Sequence, residues 1–170
     1  MPMTEVVLSP DDLSLVKRIA AARNDPKEFA GVKSKKIRNV SEEQAHIDGI
    51  AAEVAVARYF NVEPDMSSGL KGDNGYDLVI FGLKCEVKCR ERFGYDFALM
   101  TANPNEFKAD VGILVYRMAA DTYYLYGAIR KESLLEKGEK KNYGHGERWI
   151  VSPRYFTGVD AITWWGRQSA

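Results

Sequence analysis

GYDLVIFGLKCEVKCR, residues 75 to 90, decides how this chain is read. It has the pattern of a β-hairpin. Tyr76 to Phe81 is a short apolar run with Asp77 set into it, and Lys84 to Arg90 is the return strand. Gly82-Leu83 suits a two-residue loop, since glycine at the first loop position favours a type II′ turn. That loop pairs Phe81 with Lys84, sets Asp77 opposite Lys88 and Val79 opposite Glu86, and leaves Glu86 diagonal to Asp77 at about 7–8 Å. Alternation sends Tyr76, Leu78, Ile80, Cys85, Val87 and Cys89 to one face. Asp77, Glu86, Lys88 and Arg90 take the other.

Two carboxylates about 4–6 Å apart repel by a few kcal/mol at an effective dielectric near 20. A divalent cation with oxygen ligands turns that repulsion into attraction. Acid-x-lysine alone says little, because average composition yields about one such tripeptide in a chain of this length. Here there are four, at Asp25-Pro26-Lys27, Glu86-Val87-Lys88, Glu106-Phe107-Lys108 and Glu139-Lys140-Lys141. Only the copy at Glu86 lies in a strand with an upstream Asp on its own face. The plain alternative is a solvated Asp–Lys pair across the hairpin.

Upstream, SEEQAHIDGIAAEVAVARYF (41–60) has helical periodicity, with Ser41 as N-cap and Gln44 completing a capping box. Glu53 shares a stripe with Gly49, Ile50, Val56, Ala57 and Phe60, so it points inward. A buried acid needs a partner or a metal. The competing reading pairs it with Arg58 or a lysine.

The order of these features resembles the PD-(D/E)xK superfamily of nucleases, with the restriction-endonuclease-like fold. The matching residues are Glu53 in the helix, Asp77 in a strand, Glu86-Val87-Lys88 in the next, a helix or turn near 103–109 and an apolar strand at 111–116. Tyr76 stands where the signature has proline. The resemblance covers about residues 41–117. It implies an α/β fold with a mixed central β-sheet flanked by helices in the order αβββαβ. It also implies metal-dependent hydrolysis of phosphodiester bonds in nucleic acid, with DNA the expected substrate and either internal or end-directed cutting. Asp77, Glu86 and the Val87 carbonyl would hold Mg²⁺ or Mn²⁺, Lys88 would position or deprotonate the attacking water, and Glu53 would hold a second metal or its water. An inactive binding or structural protein on the same fold is the alternative.

The rest of the chain is consistent with one domain over 1–170: a core at 41–117, a helical extension at 1–40 and a C-terminal elaboration at 118–170. Ser9 caps a helix to about Asn24, with Pro10 at its first position. Strands are expected at 122–129 and 148–153, a short helix at 131–137, and a last apolar piece at 162–165. Trp149, Trp164 and Trp165 read as core or interface residues, and the N-terminal helix either packs on the core or forms a homodimer contact. No apolar run approaches 18 residues and no secretory signal is visible, so the expectation is a cytoplasmic protein without a membrane partner. The two cysteines then read as free thiols. His46 and His145 lack the spacing of a zinc site.

Formal net charge is zero, so nucleic-acid binding must rest on local clusters. These are Lys33, Lys35, Lys36 and Arg38 before the acidic helix, and Lys88, Arg90 and Arg92 running off the hairpin. A third, residues 137–148, reads as a long solvated loop.

Overall fold

A computed structural model describes residues 3–29, 40–65, 75–91, 99–101, 103–142, 144 and 146–169. Lys33, Lys35, Lys36, Arg38, Arg92 and His145 lie outside them. The elements, in chain order, are β1 (Thr4–Val7), α1 (Pro10–Phe29), α2 (Val40–Phe60), β2 (Leu78–Ile80), β3 (Leu83–Arg90), β4 (Leu99–Thr101), β5 (Val111–Arg117), β6 (Thr122–Arg130), α3 (Lys131–Lys137), β7 (Glu139–Asn142), β8 (Glu147–Val151) and α4 (Ala161–Gln168). Single 3₁₀ turns occupy Pro104–Glu106 and Pro153–Tyr155.

The mixed α/β expectation holds. A five-stranded sheet runs β1-β6-β5-β3-β2, with β3 and β5 parallel and every other pairing antiparallel. β5 is buried from Val111 to Tyr116, as a strand covered on both faces must be. On one face, α2 buries Ala51, Ala52, Val54, Ala55, Val56 and Ala57 in the larger core cluster, beside Val16 and Ile19 of α1. The small side chains let α1 and the sheet both approach α2 closely. Cys85, Val87, Ile113 and Val115 come from the sheet into that cluster. Leu114, Tyr116 and Ile129 point the other way, into a second cluster with Phe107, Leu134 of α3 and Val151 of β8. β1 and β6 belong to the main sheet, so the two ends of the chain complete the core rather than decorate it. Between β3 and β5, the described residues hold β4 and a 3₁₀ turn where a helix or turn was expected.

α1 begins as read. Ser9 Oγ accepts from Asp12 N at 3.1 Å and Asp12 Oδ2 accepts from Ser9 N at 3.2 Å, a reciprocal cap. α2 begins at Val40, so Ser41 lies inside it, and the Gln44 amide donates to Asp48 Oδ1 at 2.8 Å.

Residues 137–148 correct the loop reading. β7 and β8 form an antiparallel hairpin in a second sheet, β4-β8-β7. Trp149 is its anchor: the indole N–H donates to the Leu134 carbonyl at 3.1 Å, over Gly138, where a Cβ would meet Nε1 at 2.1 Å. Trp165 is buried, whereas Trp164 is 58% exposed. Among the described residues, no helix is long and apolar enough to cross a membrane.

Candidate functional site

The hairpin forms, but with a different turn. Ile80 pairs with Leu83, Val79 with Lys84 and Leu78 with Cys85, so the loop is Phe81-Gly82. Both loop residues have positive φ, 49° and 81°, which is type I′ rather than II′. Phenylalanine in that region costs roughly 1–2 kcal/mol. The register still wins because Leu83, a loop residue in the alternative, is buried opposite Ile80, a gain of roughly 1.5–3 kcal/mol. The Phe60 ring meets Phe81 edge-on at 6.2 Å, and Gly166 of α4 lets the tip sit close. The slip is by two residues, so every side chain keeps its face. Asp77, however, does not lie opposite Lys88.

Asp77 N donates to Cys85 O at 2.8 Å, although Cys85 already pairs with Leu78. Two residues of one strand thus face one of the other, the geometry of a bulge, and β2 stops there. The Asp77 side chain takes over as acceptor: its Oδ2 receives Val87 N–H at 2.8 Å. Val87 therefore enters the site through its N–H. One residue earlier on β3, Glu86 reaches the same side, ion-paired through Oε1 to Lys88 Nζ.

Asp77 and Glu86 line one cleft of about 260 Å³. Gly75 and Tyr76 form its wall beside Asp77, Thr101 of β4 joins from the second sheet, and Glu106 and Phe107 come from the 3₁₀ turn. Glu106 was missed from sequence. Its signal was there, in the Glu106-Phe107-Lys108 tripeptide, but nothing in the strand pattern placed that turn beside the hairpin.

Glu53 is elsewhere. Pairing of β3 with β5 puts Glu86 beside Gly112, Lys88 beside Leu114 and Arg90 beside Tyr116. That face belongs to the second core cluster, whereas α2 covers the first. Glu53 does point inward, its side chain 13% exposed, but toward α1. Arg23 Nη2 donates to Glu53 Oε2 at 2.9 Å and Nη1 to Oε1 at 3.4 Å. The inward reading stands. The approach to Asp77 and Glu86 does not, and the partner is Arg23 rather than Arg58, which instead holds Asp12 at 2.7 Å.

Among the described residues, no three His, Cys, Asp or Glu side chains come together closely enough to hold a metal ion. The cleft offers two neighbouring carboxylates of hard oxygen character. This suits Mg²⁺ or Mn²⁺, which are often held by one or two carboxylates with water and phosphate filling the remaining positions. Burial pushes the Cys85 and Cys89 thiols up to about 12, with Asp110 adding to the shift at Cys85 and Asp48 at Cys89. Comparison with family models, with curated proteins and with solved structures finds no match for this chain.

Proposed function

We propose that this chain is a metal-dependent nuclease that hydrolyses phosphodiester bonds in DNA, on a restriction-endonuclease-like core. One observation carries the reading: Asp77, immediately before β2, and Glu86 of β3 line a single cleft while Lys88 is ion-paired to Glu86. Mg²⁺ or Mn²⁺ held by the two carboxylates would supply Lewis-acid stabilisation of the charge that builds on the phosphate oxygens during hydrolysis. The chain's own groups do the rest. Val87 N–H fixes the Asp77 carboxylate, leaving its other oxygen for the cleft. Lys88 holds positive charge beside Glu86, where it can orient water and offset phosphate charge. Glu53 is left to Arg23 and takes no part.

A second reading has its own support. Asp77, Glu86 and Glu53 all have protein partners in this arrangement, as they would in a binding protein that has abandoned catalysis. Incubation with supercoiled plasmid and labelled oligonucleotides separates the two. The nuclease cuts with Mg²⁺ or Mn²⁺ and stops in EDTA. Binding without cutting selects the inactive protein, and neither binding nor cutting removes both.

A further inference from the structure

Two lysines flank the segment that walls the cleft. Gly75 has φ +68°, and a Cβ placed there would lie 2.7 Å from both Cβ and Cδ of Lys108 and 3.1 Å from its Cγ. No side chain fits that gap, and glycine alone adopts this backbone freely. Gly75 thus brings the Lys108 stem directly against the wall. The next residue, Tyr76, has the Lys84 ammonium 5.4 Å from its ring centroid, within cation–π range. Gly75 and Tyr76 both line the cleft. Lys108 follows Glu106 by two residues, and Phe107 between them is only 2% exposed. The buried ring pins the turn, so Glu106 lines the cleft and the Lys108 stem lies against Gly75 at its wall.

We propose that Lys108 and Lys84 form a cationic rim that grips phosphate groups of the bound strand next to the Asp77–Glu86 pair. This rests on the nuclease reading and adds a substrate contact to it. The charge balance favours such an occupant. Three carboxylates, Asp77, Glu86 and Glu106, line the cleft and repel a polyanion, and Lys88 is already engaged with Glu86. Cations on the wall offset that repulsion where the polymer must enter. Asp110 also lies on this side, and its Oδ2 accepts the Lys84 backbone N–H at 2.9 Å, which ties it to the strand. Both lysines are exposed, and the ligand they suit is a row of phosphate oxygens on a flexible polymer.

Fluorescence anisotropy with labelled single-stranded and duplex oligonucleotides tests this, in EDTA and across a series of salt concentrations. Lys108→Ala and Lys84→Ala should each weaken binding several-fold and lower the slope of log K against log salt by about 0.7–0.9, one phosphate contact. Lys108→Arg should restore both quantities, and Gly75→Ala, which displaces the stem, should behave like Lys108→Ala. Lys108 is exposed, so its replacement leaves the core intact. Unchanged affinity and slope in both alanine variants, with the wild type binding and cutting, would overturn the rim and leave the nuclease reading standing. A wild type that neither binds nor cuts overturns both.

Discussion

Replacing Glu53 by Gln removes the charge that answers Arg23 while keeping volume and one acceptor. The two side chains are only 11% and 13% exposed, and Arg23 Nε is buried with no acceptor. Breaking a fully buried ion pair by removing one partner costs about 3–5 kcal/mol. Here a little of each side chain reaches solvent, and Arg23 keeps the Asp65 carbonyl at 3.5 Å. The expected loss is therefore about 2–3 kcal/mol, just below that range. With a urea m-value near 2 kcal/mol/M, the unfolding midpoint should fall by roughly 1 M, read from tryptophan fluorescence. Arg23→Met with Glu53→Leu should recover most of the loss, because the pair can be exchanged for apolar packing but not halved. Glu53→Gln with an unchanged midpoint and abolished cleavage would refute this, and would return Glu53 to the catalytic set.

Three further outcomes follow from the same geometry. Lys88→Ala should lower cleavage about 100-fold with little change in the urea midpoint, since the Lys88 side chain is 35% exposed and its ion pair with Glu86 is partly solvated; equal activity would remove its role. Gly166→Ala places a Cβ 2.5 Å from Phe81 Cβ and 2.9 Å from Phe81 O, so it should cost about 1–3 kcal/mol, and a neutral result in the same unfolding assay would contradict the packing of α4 on the hairpin tip. Cys85 and Cys89 hold their protons up to about 12 when folded, against a reference of 9.0, so their contribution is complete below pH 9 and is lost as pH rises toward 12. The slope is about 1.4 kcal/mol per pH unit for each thiol, and at pH 8 a thiol reagent should reach buried Cys85 only in unfolded protein; rapid labelling of native Cys85 would refute its burial.

What could be read from the sequence was what local pattern controls. The faces of the hairpin followed from alternation alone and survived a wrong turn, because a two-residue slip leaves parity untouched. α3 was legible to the residue. The turn itself was not, since it depends on Leu83 finding Ile80 and on Phe60 and Gly166 receiving Phe81, contacts distant in sequence. Glu53 shows the same division. Its stripe said that it faced inward, but which neighbour it met depended on how α1 crosses α2. The 137–148 segment looked like a loop by composition and became a hairpin because Trp149 docks over Gly138. Glu106 reached the cleft through a crossover whose path no periodicity records.

The most direct test compares Mg²⁺-dependent cleavage with oligonucleotide affinity in the wild type and in Asp77→Asn. The structure makes this substitution clean: asparagine keeps an oxygen to accept Val87 N–H, whereas alanine would leave that donor unpaired at a cost of about 1–3 kcal/mol. The fold should therefore persist while one charge disappears from the cleft. The nuclease account predicts that turnover is lost and that affinity holds or rises, because a phosphate-repelling carboxylate has gone. A wild type that cuts nothing with Mg²⁺ or Mn²⁺, or an Asp77→Asn variant that cuts as fast as the wild type, would contradict it.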